Sequence, residues 1–370
     1  MNRALLKPLA ISLLCLFHTL AVFSQDKFFY VRGTVTDAKT GLPLAGASVF
    51  CQNTTTGTVS GNEGHFTLRL ANGGYDMVVS YTGYETGLVH ISNGGKQNDS
   101  LQVALQAQDK SMSEVVVVGS AEVADGWNKY GQFFLDNFIG TTPNAAQCTL
   151  ENKEALHFYF YKKRNKLRIK AKADLIVTNQ ALGYKIRYQL DSFVYEYDSK
   201  ISTYTGYSLF EELPGTPQQL DEWKRRRFET YKGSRLHFMR SWYDSTLKDE
   251  GFVLASADSS NLNKLRPVDN PYDSNLYTAD SSGDVSINLN GRLKVSYINE
   301  APDKKYLDEY HFPASMRAQI SAIDIAGGFI IEQNGYFYDQ TDVTNSGYWS
   351  WKKLAELLPY DYLPSADLIQ

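Results

Sequence analysis

The feature that most constrains this chain is a series of short apolar stretches between glycine-rich turns in residues 31–105. The stretches "VRGTV", "ASVFCQ", "HFTLRL", "YDMVVSYTGYE" and "LQVAL" are separated by turns such as "DAKTGLPL" and "NTTTGTVSGNEG". In "HFTLRL" the apolar residues Phe66, Leu68 and Leu70 alternate with polar ones, which is the period of a strand with one buried face. Short strands at even spacing predict an all-β sandwich.

The N-terminus has the layout of a secretory signal. Arg3 and Lys7 precede an apolar stretch at residues 9–23, as in signal peptides that are removed after export. We therefore expect residues 1–24 to be cleaved and the mature chain to be exported, to the periplasm or the outer membrane. Cys15 leaves a lipoprotein as a minor alternative. No later stretch reaches the roughly 18 apolar residues of a membrane helix.

Export would leave two cysteines, Cys51 and Cys148. They could form one disulfide in an oxidising compartment, but two thiols are not a disulfide framework. Two separate buried thiols are the interpretation we favour. No cysteine pair has metal-ligand spacing, so we expect no metal and no cofactor. With a net charge of −4 and a pI of about 5.9, the chain has no overall basic field, and we expect no nucleic-acid partner.

The first third also carries a resemblance to a known family. "GTVTDAKTGLPLAGASVFCQNTTTGTVSGNEGHFTLRL" and "YDMVVSYTGYE" resemble the carboxypeptidase regulatory-like domain of exported Bacteroidetes-type proteins. The resemblance covers residues 29–108 and implies a transthyretin-like (prealbumin-like) β-sandwich, which we place at residues 26–108, in an envelope setting. It does not imply peptidase activity, because the family's name comes from a non-catalytic appendage.

The histidines likewise do not indicate peptidase activity. A zinc carboxypeptidase needs a histidine and a glutamate three residues apart, with a second, distant histidine. None of the six histidines has glutamate at the third following position. His65, beside Glu63 in a glycine turn, is the most site-like, and we interpret it as the first residue of a strand.

"SEVVVVGS", residues 113–120, resembles the link between such a domain and the plug of TonB-dependent receptors. A receptor of that kind also needs a barrel of roughly 22 strands, for which the following residues are too few and too irregular in pattern. We interpret the run as a strand within a linker, residues 109–125, that closes or leaves the sandwich. Pairing with the sheet edge of another protein is the alternative.

Residues 126–370 predict an α+β domain with an antiparallel sheet and an inserted helical hairpin. A helix capped by Asp125 should run to Gly140 with its aromatic stripe in the core. "TPQQ" at residues 216–219 is a capping box that starts a helix ending at Gly233. Ser234 should cap a second helix that continues towards Gly251. The predicted apolar face of this second helix consists of Leu236, Met239, Tyr243 and Leu247, and the stripe of the first of Trp127, Tyr130, Phe134 and Phe138.

The rest of this domain predicts strands, turns and a last helix. Residues 166–174 alternate apolar and charged side chains, as in a strand with a basic exposed face, and residues 254–283 are rich in Ser, Asp and Asn and predict a long loop. Asn290-Gly291 and Asn334-Gly335 each predict a hairpin with a type I′ turn. Ser350 should cap a final helix that ends at Pro359.

The second half is similar to the C-terminal part of a widespread family of exported Bacteroidetes proteins. The resemblance lies in "WNKYGQFFLDNFIGTTPNAAQC", "YKGSRLHFMRSW" and "GYWSWKKLAELLPYDYLP". It implies no activity and no site residues.

Carboxylates give little support to a glycosidase. Glu211 and Glu212 are neighbours on a predicted strand and therefore point to opposite faces, so they cannot flank one glycosidic bond together. A partner such as Asp191 or Glu300 would be needed.

Two basic clusters and one serine–histidine pair remain. The clusters, residues 162–164 and 224–227, could meet anionic envelope polymers or lipid headgroups, although a hairpin tip and a solvated helix face explain them equally well. Ser234 lies near His237, but a nucleophile needs a base within reach and an exposed turn, and Ser234 is already predicted to be a helix cap.

The sequence thus predicts a non-catalytic exported protein that binds an envelope protein or a glycan, using strand edges and its tyrosine-rich surface. Outer-membrane proteins are among the expected partners. We assign no catalytic, cofactor-binding or metal-binding residues. The alternatives are an envelope hydrolase of peptide or polysaccharide with its active site in the second domain, which a deep pocket lined by acids or histidine would favour, and a structural envelope component.

Overall fold

The computed structural model describes residues 28–95, 98–108, 122–280, 283–338 and 343–368. The predicted signal (1–24) and the valine run (113–120) lie outside the described residues. In the first third, seven strands form two sheets, in the orders β4-β1-β7 and β3-β2-β5-β6. The strands are β1 (Phe28–Asp37), β2 (Ser48–Cys51), β3 (Gly57–Val59), β4 (His65–Ala71), β5 (Gly74–Ser80), β6 (Gly87–Ser92) and β7 (Leu101–Leu105).

The two sheets share one core, as a β-sandwich does. Phe66, Leu68 and Leu70 of β4 are buried while the residues between them are exposed, so the predicted alternation is confirmed. From the other sheet, Met77 and Cys51 enter the same core. Cys51 is a buried free thiol and Cys148 a half-buried one, and burial raises the pKa of Cys148 to about 12. We call residues 28–108 the sandwich.

Residues 122–368, which we call the C-terminal region, contain fourteen further strands and five helices among the described residues. The strands are β8 (Cys148–Leu150), β9 (Leu156–Tyr161), β10 (Lys166–Ala171), β11 (Leu175–Asn179), β12 (Tyr184–Glu196), β13 (Ile201–Glu212), β14 (Phe252–Asp258), β15 (Arg266–Pro267), β16 (Tyr277–Ala279), β17 (Val285–Ile287), β18 (Gly291–Tyr297), β19 (Gln319–Ile325), β20 (Phe329–Ile331) and β21 (Val343–Gly347). The helices are α1 (Gly126–Phe138), α2 (Pro217–Tyr231), α3 (Arg235–Tyr243), α4 (Lys304–Glu309) and α5 (Tyr348–Trp351).

These strands form three sheets where the sequence predicted one. A six-stranded sheet of β8 to β13 packs against α1, with Phe134, Phe138 and Phe193 fully buried between them. Each such side chain stabilises the fold by roughly 2–3 kcal/mol through burial. The aromatic stripe of α1 is therefore core, as predicted. Asp125 stands at the N-cap but makes no capping hydrogen bond; it accepts from the Asn128 side chain instead.

A second core lies under α3, between a five-stranded sheet (β15-β14-β18-β19-β21) and a three-stranded one (β16-β17-β20). The predicted hairpin at Asn290-Gly291 is wrong, because β17 pairs with β16 and β20 while β18 pairs with β14 and β19. The predicted loop 254–283 is also partly wrong. It contains most of β14 and the short strands β15 and β16.

The helical hairpin forms, but its second helix is shorter than predicted. α2 has the capping box of Thr216 and Gln219 with proline in its first turn, as predicted. α3 has its Ser234 cap but ends at Tyr243, and Ser245 has a left-handed backbone. Its buried face is formed by Phe238, Met239 and Trp242. The predicted face is therefore right at Met239 and missed Phe238 and Trp242, while the predicted Leu247 is buried in the same core but lies beyond the end of the helix.

The last helix also differs from the prediction. α5 has only four residues after a Gly347 cap, and Ser350 lies inside it. The chain then becomes extended at Lys352 and Lys353 and forms a 3₁₀ turn (Leu354–Glu356). This path ends the helix because it places Leu354, Ala355 and Leu358 in the core under the six-stranded sheet.

The sandwich and the C-terminal region pack directly on each other. Tyr336 and Tyr360 enter the sandwich core, and Phe50 and Val78 on its outer face contact Leu209 of β13. A parallel bridge also joins Thr54 to Leu209. The predicted hairpin at Asn334-Gly335 forms, with an Ile331–Phe337 bridge, but only Gly335 has a positive φ, so the turn is not type I′.

Candidate functional site

A cleft of about 470 Å³ opens on one side of α2. One wall is the helix face formed by Glu222, Arg225, Arg226, Glu229 and Thr230, which lie at the i, i+3, i+4, i+7 and i+8 spacing of a single helix face. The capping box and proline fix where α2 begins, and this determines which face meets the cleft. Its volume is that of a small-ligand site.

The opposite wall is formed by α5 and the segment before α4. Tyr348, Trp351 and Lys352 contribute from the first, and Ala301 and Asp303 from the second. The hydroxyl of Tyr348 accepts from the Asp303 backbone at 3.1 Å, which ties the two segments together. Asp303 also caps α4 by accepting from the Lys305 backbone.

Gln319, at the start of β19, also lines the cleft. It is only 4% exposed, and its amide nitrogen donates to Glu300 Oε2 at 3.4 Å. Its amide oxygen is buried and has no hydrogen-bond partner among the described residues. Gly233 makes room for it, because a Cβ at this position (φ +66°) would lie 2.6 Å from that oxygen. A buried acceptor without a donor is costly.

Most of the charges along α2 are neutralised within the helix. Arg226 donates to Glu222 at 2.6 Å, and Arg225 contacts both Glu222 and Asp221. The Arg226 hydrogen bond holds the pKa of Glu222 below its usual value. Across the cleft, Glu300 forms an ion pair with Lys232. The pairing with Arg226 therefore keeps Glu222 ionised.

Lys352 is placed differently. Its ammonium lies 5.1 Å from the centre of the Tyr348 ring, and within the described chain it makes no ion pair shorter than 4 Å. Burial lowers the pKa of Lys352, while the more distant carboxylates of Glu356 and Glu300 act in the opposite direction. The ammonium is thus desolvated without a direct charged partner, which is unusual for a lysine.

An array of aromatic rings runs from the cleft wall to the surface. Tyr306 packs 4.9 Å from Tyr348 and 5.5 Å from Trp351, ring centre to ring centre. On its other side it contacts Tyr310 and Phe312, which are 49% and 42% exposed. The polar cleft is therefore continuous with exposed aromatic surface.

The serine–histidine pair has a structural role. The Ser234 hydroxyl accepts from the His237 backbone at 3.1 Å, which is the predicted helix cap. The His237 ring contacts Glu250 at 3.0 Å and accepts from the Gly233 backbone. Both ring nitrogens are occupied, and neither contacts the serine hydroxyl.

The carboxylates considered for a glycosidase are not brought together. Glu212 pairs with Arg227, and Glu211 is opposite Lys185 on β12. Only Glu300 lies in the cleft. Burial raises the pKa of Asp191, but this residue lies on β12, outside the cleft.

The basic clusters are a hairpin tip and a helix face, as favoured from sequence. Residues 162–164 form the 3₁₀ turn between β9 and β10. On α2, Lys224 pairs with Asp367 and Arg227 with Glu212, whereas Arg225 and Arg226 line the cleft. Among the described residues, no group of three or more His, Cys, Asp or Glu side chains could hold a metal ion.

A second polar cluster lies at the junction between the sandwich and the C-terminal region. Glu332 is 1% exposed, and its Oε1 lies 3.2 Å from His90 Nε2 of β6. His90 also contacts the Tyr338 hydroxyl, and Tyr336 donates to Asp76 at 2.7 Å. Burial acts to lower the pKa of His90, but the Asp76 and Glu332 carboxylates outweigh it and raise the pKa.

Backbone hydrogen bonds complete this junction. The Asn334 side chain donates to Gly74 O at 2.8 Å and accepts from Gly74 N. Buried Arg240 donates to the carbonyls of Asn334, Tyr360 and Tyr362 at 2.8–3.0 Å. Most polar groups of the cluster are hydrogen-bonded, and beyond its contact with His90 only Glu332 Oε1 has no hydrogen-bond partner among the described residues. The cluster therefore holds the two parts together.

Sequence reasoning did not find Gln319, Lys352, Arg240 or the His90–Glu332 pair. The only sequence signal was the "WKK" step in residues 351–353, where two lysines follow an apolar run. The pattern around it predicts that it lies within the final helix.

The comparisons with known proteins concern the sandwich. Residues 31–117 match the family model described as a CarboxypepD_reg-like domain, which confirms the resemblance. TonB-dependent receptor P39 from Formosa agariphila is 34% identical over 114 residues, covering 31% of this chain and 10% of the receptor. TonB-dependent receptor SusC from Bacteroides thetaiotaomicron is 32% identical over 108 residues, covering 29% and 10%. This chain thus matches about a tenth of each relative.

The solved structures align only weakly with this chain. A 3-chlorocatechol 1,2-dioxygenase from Rhodococcus opacus aligns with 22% of this chain and 60% of its own at 12% identity and a TM-score of 0.19. A DUF3823 family protein from Bacteroides ovatus aligns with 50% and 83% at 10% identity and a TM-score of 0.17. Scores this low carry no argument. In the part of the chain that is described, no helix is long and apolar enough to cross a membrane.

Proposed function

We propose that this protein is a non-catalytic, envelope-associated binding protein that holds a glycan in the cleft beside α2. The observation that carries the proposal is the cleft itself. It has the volume of a small-ligand site, polar walls, a buried acceptor on Gln319 that lacks a donor, and aromatic surface that continues outwards from Tyr348 and Trp351. Polar groups that fix orientation beside aromatic side chains are typical of ligand sites.

The envelope setting is supported by the sandwich, which resembles a domain of TonB-dependent receptors. An export signal at residues 1–24 is part of the proposal. The glycan is favoured over a protein partner because a concave, polar cleft suits hydroxyl groups better than the flat contact of two folded proteins.

The cleft is less suited to hydrolysis. A general acid at neutral pH needs a raised pKa, which enzymes produce by burial and by neighbouring negative charge. Glu222 and Glu300 instead have cationic partners, Arg226 and Lys232, and the hydrogen bond from Arg226 lowers the pKa of Glu222. We therefore propose binding without bond cleavage.

Calorimetric titration of the full chain tests the proposal. The probes are hexamers of β-1,4-glucose, β-1,4-mannose and α-1,4-glucose, each as the neutral sugar and as its C6-oxidised uronate. We expect at least one to bind. Ala301→Trp, at an exposed alanine of the cleft wall, should abolish that binding by filling the cleft.

The matched control is Ala38→Trp, the same substitution at an exposed alanine of the sandwich. It should bind like the wild type. Binding that survives Ala301→Trp would show that the site lies elsewhere. Binding of none of the six hexamers would overturn the glycan proposal, and release of shorter sugars during incubation would overturn the non-catalytic part.

A further inference from the structure

Positive charge is concentrated in residues 162–172, outside the cleft beside α2. Seven of these eleven residues are Lys or Arg, whereas residues 155–173 contain no Asp or Glu. The whole chain, by contrast, has a net charge of −4. A local excess of one sign within a chain of the opposite net charge indicates a surface that attracts an oppositely charged partner.

The hairpin of β9 and β10 places three of these cations on one face of the six-stranded sheet. Leu167 and Ile169 of β10 are fully buried in the core with α1. Side chains alternate along a strand, so Lys166, Arg168 and Lys170 lie on the opposite face, roughly 7 Å from one to the next. All three are half-buried.

The turn between the two strands adds three more cations. Residues 162–164 form its exposed tip. Asn165 follows with a left-handed backbone (φ 42°), which asparagine tolerates better than most residues, and the chain enters β10 directly. The tip and the face together form what we call the basic hairpin surface, which consists of Lys162, Lys163, Arg164, Lys166, Arg168 and Lys170.

The protein itself neutralises little of this charge. Within the described chain, Lys166 is the one member of the surface with an ion pair closer than 4 Å, to Glu196. Burial and the charge of Arg168 lower the pKa of Lys170. The β10 cations therefore repel one another with too few acids between them, and an anionic partner would remove this cost.

Two further acids near the hairpin are engaged with other residues. Glu122 contacts the ring of His157 at 3.0 Å, and Asp198 accepts from the Asn165 side chain at 2.7 Å. Neither forms an ion pair closer than 4 Å with the basic hairpin surface in the part of the chain that is described. The surface therefore remains strongly positive.

Tyrosines lie beside the cations on the same face. In the register of β9 and β10, Tyr159 is opposite Arg168 and Tyr161 is opposite Lys166. Tyrosine has an apolar ring and a polar hydroxyl, and such side chains beside Lys and Arg are typical of protein surfaces at the level of lipid headgroups. On a sheet, side chains stand next to one another rather than around a cavity, which suits an extended anionic surface.

We infer that the basic hairpin surface binds the anionic headgroups of a membrane, with its cations at the lipid phosphates and Tyr159 and Tyr161 at headgroup level. This second site goes beyond the proposed function and does not depend on the cleft. The attraction is electrostatic, so it requires anionic lipid and weakens as salt is added.

Sedimentation of the full chain with lipid vesicles tests the inference. Vesicles of equal parts phosphatidylcholine and phosphatidylglycerol are compared with vesicles of phosphatidylcholine alone. We expect at least about tenfold stronger partitioning into the anionic vesicles, and loss of this difference at about 1 M salt, where charges are screened beyond roughly 3 Å. Equal partitioning into both kinds of vesicle would overturn the inference and leave the proposed function standing.

Two soluble anions distinguish a membrane from other sources of negative charge. Sodium phosphate should release the chain from the anionic vesicles no better than sodium chloride of the same ionic strength. Selective release by phosphate would assign the surface to the free ion instead. Binding of polygalacturonate by a chain that the anionic vesicles do not retain would assign it to an acidic polymer. Either result overturns the membrane as the partner.

A pair of substitutions at the exposed tip tests the surface directly. Each basic side chain close to an anionic surface contributes roughly fivefold to partitioning, so Lys162→Gln/Lys163→Gln should lower it about twenty-fivefold. The matched control, Lys304→Gln/Lys305→Gln, removes the same charges from exposed positions of α4 and should change partitioning less than threefold. An equal loss in both variants would reduce the effect to net charge and contradict the assignment.

A second pair tests the face of β10. Arg168→Gln/Lys170→Gln should lower partitioning into the anionic vesicles by at least about tenfold, and the melting temperature, measured alongside, shows whether the variant is folded. Unchanged partitioning in a folded variant would contradict the part given to β10.

Discussion

The junction and the cleft contain the same kinds of side chain in opposite states. At the junction, Arg240 donates to three buried carbonyls and Asn334 bonds both backbone groups of Gly74. In the cleft, the Gln319 oxygen has no donor and Lys352 has no direct ion-pair partner within the described chain. The junction uses most of its polar groups on itself, although Glu332 Oε1 makes no hydrogen bond among the described residues, and the cleft leaves both of these groups without such a partner.

Whether the polar groups are hydrogen-bonded distinguishes a structural region from a binding region more clearly than the residue types do. Buried polar groups stabilise a fold only when their hydrogen bonds are made. Groups left unsatisfied lower stability and persist where another requirement holds them, such as a functional role or a bound water or ion. We therefore expect substitutions at the junction to destabilise the protein and substitutions in the cleft to affect binding, and four predictions test this contrast.

The largest effect is expected for Arg240→Met. The substitution removes the guanidinium donors of three carbonyls at the junction, so the free energy of unfolding should fall by about 3 kcal/mol. Urea denaturation measures it. Arg164→Met, at the exposed tip between β9 and β10, is the control and should change stability by less than about 0.5 kcal/mol. A loss below about 1 kcal/mol for Arg240→Met would show that the junction is not held by this residue.

Gly74→Ala should have the next largest effect. A Cβ there would lie 2.2 Å from the Glu332 carboxylate, which is buried and cannot swing into solvent, so we expect a loss of about 2 kcal/mol. In a Glu332→Ala background the same change should cost less than about 1 kcal/mol. A double-mutant cycle measures this coupling, and additive losses would contradict the contact.

The pH dependence should be weaker, because His90 is partly exposed. Its pKa is raised in the folded state, so its contribution to stability is complete below about pH 6.5, the usual value, and is lost as the pH rises through the folded pKa. Asp284, whose pKa burial raises to about 6, acts in the same direction but below pH 6. The free energy of unfolding of the wild type should be lower at pH 9 than at pH 6, and this difference should be smaller in His90→Gln. An equal decrease in the variant would show that groups other than His90 cause the pH dependence.

The smallest expected effect is a gain in stability rather than a loss. Lys352→Met removes a desolvated ammonium without a direct partner, so stability should rise by about 0.5 kcal/mol while binding of the neutral hexamer weakens. Lys163→Met at the hairpin tip should change neither property. If Lys352→Met lowers the free energy of unfolding by more than about 1 kcal/mol, Lys352 stabilises the fold, as the groups of the junction do.

Local signals in the sequence predicted local structure well. The capping box at Thr216 and the end of α2 at Gly233 depend on residues within one helix, and both are confirmed. The alternation in β4 is likewise a property of one strand and predicted its buried face. The resemblance of residues 29–108 to a regulatory-like domain was also visible in the sequence, and the family model matches residues 31–117.

Features that depend on distant pairing were missed. The Asn290-Gly291 pair suggests a hairpin turn, but Gly291 instead begins β18, which pairs with β14 and β19 rather than with β17. His90 and Glu332 come into contact only when the two parts of the chain pack together. No residue spacing in the sequence predicts this contact. The cleft joins α2, β19 and α5, so its lining depends on the packing of all three.

The most direct test of the contrast between junction and cleft is hydrogen–deuterium exchange of the full chain with and without the neutral hexamer that binds in calorimetry. The account predicts slower exchange in residues 222–230 and 348–356 when the sugar is bound, and unchanged exchange in residues 74–90 and 330–338. Protection confined to the junction, or unchanged exchange along both walls of the cleft despite binding, would contradict it.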